Sequence, residues 1–255
     1  MKNTTYKNVL ITERDVNILK LLSKLKIGES DLIRDLLSSE TSQNTFTKRL
    51  KKLEDKGLIR AINQDQRGRT RNKLYQLNTK QKKADIEAII GSEILGGTIN
   101  MSYSTYFHTL YIGYFLRFLI KQIKKKNENY TFLVDDFISQ FEFQRWTTTR
   151  KKNELNTVII PDGLLRMGNK VQWIECERKN SLKDFNKKMK SYKDQYFYLS
   201  KEGFCEFFKK DDKHTLLIMS PEWKIGSYAE SITKEKLKEY YSVQLLNEDN
   251  VLKYQ

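Results

Sequence analysis

The chain has 255 residues, and 38% of them are hydrophobic, including 14 Tyr, 13 Phe and 3 Trp. This length and aromatic content exclude a disordered basic tail and predict one large or two ordinary folded domains. Its 47 Lys and Arg outnumber its 32 Asp and Glu, which gives a net charge of +15 and a pI near 9.5. A polyanion, either nucleic acid or an anionic membrane surface, is therefore the first class of partner to expect.

Few residues in this chain are suited to zinc or to a membrane. The cysteines and histidines lack the spacing of a zinc site, and we expect reduced thiols in a cytoplasmic protein. No apolar stretch follows the first residues, so no signal peptide is predicted. The segment 103–123 is apolar but contains charged side chains, which favours a buried amphipathic helix over a membrane span. The residues concerned are Cys176, Cys205, His108, His214, Arg117 and Lys121.

The first 60 residues predict three helices, because apolar residues recur at helical spacing. The first helix covers Ile11 to Leu25 and has a capping pattern at its start, Thr12-Glu13-Arg14-Asp15. The second covers Glu29 to Leu37, after a break at Ile27-Gly28. The third has Ser42 as its N-cap, runs to Lys56 and is stopped by Gly57.

Beyond Gly57 the apolar period changes from about 3.6 to 2, which indicates strands. Residues 58–62 and 73–77 are the predicted strands of a hairpin, joined by a polar loop at 63–71. Three helices followed by a basic hairpin, with L-K-K-L-E-D-K-G-L-I-R at 50–60, resemble a winged helix-turn-helix. That resemblance implies that the third helix enters the major groove of double-stranded DNA.

The charge of this region supports a DNA-binding interpretation. Residues 48–83 contain 13 Lys and Arg and 3 Asp and Glu, a net charge of +10, whereas a merely solvated face usually mixes both signs. The alternative is a packing or dimerisation module with a solvated basic face. The predicted DNA-contacting residues of the third helix and the hairpin are Ser42, Gln43, Asn44, Thr45, Thr47, Lys48, Lys52, Arg67, Arg69, Arg71 and Lys73.

The rest of the chain predicts a second domain. Residues 1–90 form the first domain, 91–102 a linker, and 103–255 an α/β domain that starts with a helix over Tyr103 to Lys126. The fold class is therefore α+β. Strands are predicted at 130–134, 158–167, 171–176, 215–219 and 242–246, and helices at 80–90, 181–200 and 222–241.

Three acidic residues lie at two neighbouring predicted strands. Asp162 stands at the head of one strand, and Glu175 and Glu177 occupy alternate positions of the next, so they share one face. If the strands pair through the turn near Gly168, Asp162 lies beside Glu175. Converging carboxylates suit Mg²⁺ or Mn²⁺, which could assist phosphodiester hydrolysis.

This stretch resembles the PD-(D/E)XK nuclease superfamily, in which Pro-Asp heads one strand and Glu-x-Lys lies on the next. The resemblance implies that Asp162 and Glu175 are metal-binding acids, that Glu177 occupies the lysine position, and that Lys179 approaches from two residues on. Glu142 is a weak match to an additional acid. The plainer interpretation is that the two glutamates form ordinary surface ion pairs.

Both halves together resemble the replication-relaxation proteins of Gram-positive plasmids and mobile elements, through P-D-G-L-L, I-E-C-E-R-K-N-S and K-x-x-x-Y. The resemblance implies a DNA-binding role in replication, mobilisation or their regulation. Replication or relaxosome proteins and a second copy of the chain are the implied partners. The alternative is a non-catalytic regulator or accessory factor, and a membrane partner is not expected. The residues matched are Asp162, Glu175, Glu177, Arg178, Lys183, Tyr192 and His108.

Overall fold

The computed structural model describes residues 4–6, 9–37, 40–62, 73–96, 103–150, 159–177, 180–199, 207–209 and 211–253. The chain divides into two compact units, Met1–Val134 and Asp135–Gln255. Helices and several sheets occur together, which confirms the predicted α+β class. Within the ranges just given, no helix is both long and apolar enough to span a bilayer.

Helices of the first unit begin and end close to the predicted residues. The capping pattern at Thr12 is confirmed, because the Asp15 backbone N–H bonds the Thr12 hydroxyl and the Asp15 carboxylate accepts from the Thr12 backbone. Ser42 caps the third helix as predicted, and Gly57 after it has a φ of +70°. The helices are α1 (Glu13–Leu25), α2 (Ser30–Leu37), α3 (Gln43–Asp55), α4 (Thr79–Ile90) and α5 (Tyr103–Lys126).

Two small sheets accompany these helices. Strands β1 (Thr4–Tyr6) and β2 (Val9–Ile11) form an antiparallel pair that the sequence did not predict. The second sheet is antiparallel in the order β3-β5-β4, with β3 at Ile27–Glu29, β4 at Ile59–Ala61 and β5 at Leu74–Leu77. The predicted break at Ile27-Gly28 is therefore an edge strand of this sheet. The whole predicted loop at 63–71, with Arg67, Arg69 and Arg71, lies outside the described residues.

Helix α5 packs within the first unit. It contacts α1, α2 and β3. A Cβ at Gly113 would stand 2.7 Å from the Leu32 side chain of α2, so the two helices approach closely there. The sequence predicted a linker at 91–102 and a second domain from residue 103, which would start with α5. In the structure, α5 belongs to the first unit.

The second unit is built on a five-stranded mixed sheet in the order β10-β9-β8-β7-β6. Strands β6, β7 and β8 are antiparallel neighbours, whereas β8, β9 and β10 run parallel. The elements are β6 (Phe137–Ser139), α6 (Gln140–Arg150), β7 (Gly163–Met167), β8 (Lys170–Cys176), α7 (Leu182–Leu199), β9 (Lys213–Ser220), α8 (Glu222–Lys234), β10 (Ser242–Asn247) and α9 (Glu248–Leu252).

The strand predicted at 130–134 is wrong, because the first strand of this sheet starts at Phe137. A 3₁₀ turn over Val134–Asp136 precedes it. Phe137 is fully buried, and a Cβ added at Gly163 would lie only 2.6 Å from its ring. The first strand of the sheet is therefore the segment in which Phe137 pairs with Leu165, and residues 130–134 lie outside the sheet.

An aromatic core joins the sheet to its helices. Trp173 of β8 is fully buried and stacks on Phe208, with 5.4 Å between the ring centroids. Its Nε1 donates a hydrogen bond to His214 Nδ1 at 3.1 Å. Tyr192 of α7 meets the Trp173 ring edge to face at 5.8 Å. This packing fixes α7 against β8, next to the acidic residues at the end of that strand.

Candidate functional site

Asp162 lies opposite Glu175, as the sequence predicted. The register pairs Gly163 with Ile174, so the residue before β7 faces Glu175, close to the end of β8. The Cys176 backbone N–H donates to Asp162 Oδ2 at 2.8 Å, and the Asp162 backbone N–H donates to the Ile174 carbonyl at 3.1 Å. The strand pairing itself therefore holds the Asp162 carboxylate at this edge of the sheet.

Glu175 and Glu177 point to the same side of the sheet, toward α7, and both are almost completely buried. The Lys188 ammonium of α7 donates to one carboxylate oxygen of each glutamate. We call Asp162, Glu175 and Glu177 the acid cluster. The interpretation of the two glutamates as exposed surface ion pairs is wrong, because neither side chain is exposed and the lysine that pairs with both comes from a separate helix.

Further donors complete the surroundings of the two glutamates. The Tyr192 hydroxyl donates to Glu175 Oε1, and the Asn180 side-chain amide donates to Glu177 Oε2. Two side chains of α8 hold Asn180 in turn. Its backbone carbonyl accepts from Lys224 Nζ at 2.9 Å and from the Tyr228 hydroxyl at 3.3 Å. Helices α7 and α8 thus both contribute to the position of the cluster.

Burial dominates the electrostatics of this cluster. It raises the pKa of Glu175 to about 8, against the attraction of Lys188, and the charges of Asp162 and Glu177 add to the rise. Burial alone would lower the pKa of Lys188, but the three carboxylates raise it above its ordinary value. Burial and the Glu175 carboxylate raise the pKa of Tyr192 as well. Lys188 is therefore a protonated ammonium next to three acidic side chains.

The donor chemistry of the cluster suits a hard divalent cation. Asp162 and Glu175 present carboxylate oxygens from adjacent strands, and such oxygens are the ligands that Mg²⁺ and Mn²⁺ prefer. In the described parts of the chain, no group of three or more His, Cys, Asp or Glu side chains is already arranged around one metal position. The Lys188 ammonium bonds Glu175 and Glu177, so Lys188 and a bound metal ion would both be attracted by the negative charge of these glutamates.

The other residues predicted for this site have separate positions. Arg178 and Lys179 lie outside the described residues. Lys183 is exposed in the first turn of α7. Glu142 caps the start of α6, where its carboxylate accepts from the Ser139 backbone at 2.8 Å and from the Ser139 hydroxyl at 2.9 Å. His108 lies on α5 of the first unit.

Lys188 is the residue that sequence reasoning missed. It follows Glu177 by eleven positions and reaches the cluster only because α7 packs along β8. A signal was present, since Lys188 and Tyr192 are four residues apart and so share one face of a helix. Lys188 is the lysine that stands four residues before Tyr192, whereas Lys183, which the resemblance matched, lies nine residues before it.

Helix α3 presents a second set of predicted residues. Asn44, Thr47, Lys48 and Lys52 are exposed along it, and Lys51, which was not predicted, is exposed beside them. Phe46, Leu50 and Leu53 are buried on its opposite side. The helix is thus amphipathic, with a polar and basic outer face. We call Asn44, Thr47, Lys48 and Lys51 the α3 face, because they repeat at helical spacing.

Three other predicted residues of α3 and its cap have structural partners. Gln43 bonds Asp31 and Arg34 of α2, and the Ser42 hydroxyl bonds Thr45, with 2.9 Å between the two hydroxyl oxygens. Gln43 thus ties α3 to α2 instead of presenting its amide to solvent. Lys73 forms an ion pair with Glu54 of α3 at 2.8 Å.

A groove of about 540 Å³ lies between the start of α1 and α3. It is lined by Thr12, Glu13, Arg14, Thr45, Lys48, Arg49 and Lys52. Arg49 is bound to the buried Asp15 of α1, which holds the two helices together. The groove offers several cationic groups next to the α3 face, a composition suited to phosphate oxygens.

Comparison of the chain with protein-family models, with curated proteins and with solved structures finds no match.

Proposed function

We propose that the chain is a DNA-binding protein whose first unit is a winged helix-turn-helix. The observation that carries this proposal is the α3 face, which leaves Asn44, Thr47, Lys48 and Lys51 exposed on a helix whose other side is buried in the unit. Helices α1, α2 and α3, followed by the hairpin strands β4 and β5, have the chain order of a winged helix. Such a helix enters the major groove, and its lysines neutralise phosphates.

Removal of charge from the α3 face tests this proposal. We expect Lys48→Ala/Lys51→Ala to bind a mixed-sequence duplex at least tenfold more weakly than the wild type, because phosphate contacts supply much of the affinity. Fluorescence anisotropy with a labelled duplex measures the dissociation constants. The matched control is Lys125→Ala/Lys126→Ala at the exposed end of α5, which removes the same charge from the same unit. Equal losses of affinity in both variants would contradict a specific role of the α3 face.

For the second unit we propose a nuclease-like domain of the PD-(D/E)XK type that acts on DNA phosphodiesters. The support is the acid cluster at the strand ends, with Lys188 supplying from α7 the ammonium that the superfamily motif places on the strand. Asp162 and Glu175 would hold Mg²⁺ or Mn²⁺, which when bound polarises a phosphate and activates water. Lys188 then places positive charge where the phosphate oxygens become more negative.

Incubation of supercoiled plasmid with Mg²⁺ or Mn²⁺ tests this activity. The wild type should convert supercoiled plasmid to nicked or linear forms, and Asp162→Asn should reduce the rate by at least a hundredfold, because the variant keeps the shape but loses the charge. Asp184→Asn, at an exposed position of α7, is the matched control. Nicking that persists unchanged in Asp162→Asn would contradict the site assignment.

A second function is favoured by the bonds that the glutamates already make. Lys188, Tyr192 and Asn180 occupy the carboxylate oxygens of Glu175 and Glu177, so the cluster can also serve as a buried structural network. The protein would then be a non-catalytic regulator or accessory factor that only binds DNA. Complete absence of nicking with either metal, together with unchanged DNA binding, would favour this second function.

The sequence resemblance extends the proposal to a biological setting. It suggests a protein of a plasmid or mobile element that acts in replication, mobilisation or their regulation, with double-stranded DNA as its partner. A second copy of the chain would match a palindromic site, because a symmetric dimer binds two half-sites. A footprint on DNA from the gene's own neighbourhood tests both points, and protection of two inverted half-sites is the expected result.

A further inference from the structure

Trp223 is the most exposed large apolar side chain among the described residues, at 77% of its maximum. The other exposed large apolar side chains are leucines at 46% to 58% exposure. Tryptophan usually buries most of its ring, and the ring carries a large apolar area into water when it does not. An exposed indole on an ordered helix is therefore a candidate contact for a partner.

The ring of Trp223 is held by a cation. Lys224 Nζ lies over it, 4.8 Å from the ring centroid. Lys224 is itself buried, and its ammonium donates to the Asn180 carbonyl at 2.9 Å. The cation is thus fixed by the protein and attracts the π-system of the indole, which favours one orientation of the ring before any partner arrives.

Trp223 stands at the same edge of the sheet as the acid cluster. Strands β8 and β9 are parallel, so Cys176 and Ser220 end at one edge, and Trp223 follows β9 by three residues. Its neighbour Lys224 bonds Asn180, and Asn180 bonds Glu177. This chain of contacts leads directly from the indole to the proposed nuclease site.

The surroundings of this edge suit a nucleic acid more than an apolar protein partner. Lys183, Lys187 and Lys190 are exposed on α7, whose first turn starts at the same edge. Two exposed acids stand at the helix starts as well: Asp184 accepts from the Ser181 hydroxyl at 2.7 Å, and Glu222 accepts from the Asn247 amide. Exposed lysines on a helix that starts beside an exposed aromatic ring are groups by which proteins bind single strands.

We infer that Trp223 is a stacking platform for an unpaired DNA base, so that the substrate class of the second unit is DNA with a single-stranded stretch. Bases in an intact duplex stack on each other and offer no free face, whereas an unpaired base can stack on the indole. Gly226 lies one helical turn beyond Trp223 and is exposed, and a Cβ there would meet open space. Residue 226 therefore places no side chain beside the indole ring. This inference rests on the proposed DNA-binding function.

Tryptophan fluorescence with a short oligothymidylate and a blunt-ended, fully paired duplex as probes tests the inference. The other two tryptophans, the buried Trp173 and the partly buried Trp146, remain in Trp223→Phe, so the difference in acrylamide quenching between the wild type and this variant reports on Trp223. The oligothymidylate should quench the Trp223 emission and shield it from acrylamide. Trp223→Ala should bind the single strand about tenfold more weakly, since base stacking on an aromatic ring contributes on the order of 1–3 kcal/mol, and Trp223→Phe should retain much of the affinity.

The controls separate this inference from the proposed function. Leu133→Ala, which truncates an exposed apolar side chain of the first unit, should leave single-strand affinity unchanged. Duplex affinity should be the same in the wild type and Trp223→Ala. If Trp223→Ala binds both probes as the wild type does, the stacking role is wrong while DNA binding stands. If the wild type binds neither probe, the proposed function itself fails. If Trp223→Ala sediments differently from the wild type without DNA, the ring contributes to self-association, and the inference is overturned.

Discussion

Lys188 carries the positive charge on which the buried acid cluster depends. Its ammonium bonds Glu175 and Glu177, which are 0% and 1% exposed. Taking carboxylates out of water is costly, and the cost is offset only when a partner of opposite charge remains. The same side chain thus holds α7 on the sheet and sets the charge of the proposed site.

Truncation of Lys188 should destabilise the second unit strongly. We expect Lys188→Met to lower the free energy of unfolding by about 3–5 kcal/mol at pH 9, above the pKa of Glu175, because it leaves two buried carboxylates without their cation. Chemical denaturation followed by circular dichroism measures this change. Lys187→Met, at the exposed neighbouring position, should change stability by less than about 0.5 kcal/mol. Similar values for the two variants would contradict the bridging role.

His214 makes stability depend on pH. Burial lowers the pKa of His214 to about 4, although Asp212 opposes the shift and Arg166 adds to it. The folded state therefore holds His214 neutral, as its acceptance of the Trp173 N–H requires. The unfolded state takes up the proton first, so this contribution is fully present above pH 6.5 and is lost as the pH falls toward 4.

The variant His214→Gln keeps an acceptor for Trp173 but does not titrate. Between pH 7 and pH 4.5, the wild type should lose about 2 kcal/mol of unfolding free energy more than the variant does. Comparing the two proteins removes the contributions of other groups that titrate in this range. Parallel pH profiles of the wild type and His214→Gln would show that His214 titrates alike in both states.

The position of the acids was predictable from the sequence, whereas their lysine was not. Alternation places Glu175 and Glu177 on one face, and the turn at Gly168 sets the pairing that puts Asp162 opposite Glu175. Lys188 depends on how α7 lies on the sheet, which is a packing result that no local pattern of strand residues contains. The bonds of Gln43 to α2 were not predicted for the same reason, because they depend on how α3 packs on α2.

Close approach between β6 and β7 fixes the strand that leads into the acid cluster. Gly163 follows Asp162 directly, and a Cβ there would lie 2.6 Å and 2.9 Å from ring atoms of the buried Phe137. The aromatic ring cannot move without disturbing the pairing of these strands. Glycine at this position therefore positions Asp162 through the contact of two neighbouring strands.

A pair of glycine substitutions separates this contact from general effects on the chain. Gly163→Ala should destabilise the protein by about 1–3 kcal/mol through overpacking. Gly226→Ala, in the exposed helix α8 with open space around its Cβ, should stabilise it by about 0.5–1 kcal/mol through helix propensity. Thermal unfolding of both variants measures the two shifts. A shift of the same sign and size in both would contradict the packing explanation for Gly163.

Local periodicity found most elements, and tertiary contacts decided the rest. Helices α1, α3 and α5 begin and end close to the predicted residues, because capping groups and apolar spacing are encoded locally. The short strand β3 was predicted as a break, since three residues give no recognisable alternation and their pairing with β5 is long-range. Helix α5 joins the first unit through contacts with α1 and α2 that its own sequence does not reveal.

Most of the net charge of the chain lies in one segment. Residues 48–83 carry +10 of the net +15, and the described part of that segment includes the lysines of the α3 face. The second unit has exposed lysines on α7, a helix that starts at the sheet edge with the buried acid cluster. A basic protein of this kind is suited to a polyanion, and its affinity should depend strongly on ionic strength.

The salt dependence of duplex binding tests the account most directly. For the wild type, the logarithm of the association constant should fall linearly with the logarithm of the salt concentration, because bound phosphates release counterions. The Lys48→Ala/Lys51→Ala variant should have a slope shallower by about 2, because each removed lysine leaves one phosphate with its counterion. A wild-type affinity that does not change with salt, or an identical slope in the variant, would contradict DNA binding through the α3 face.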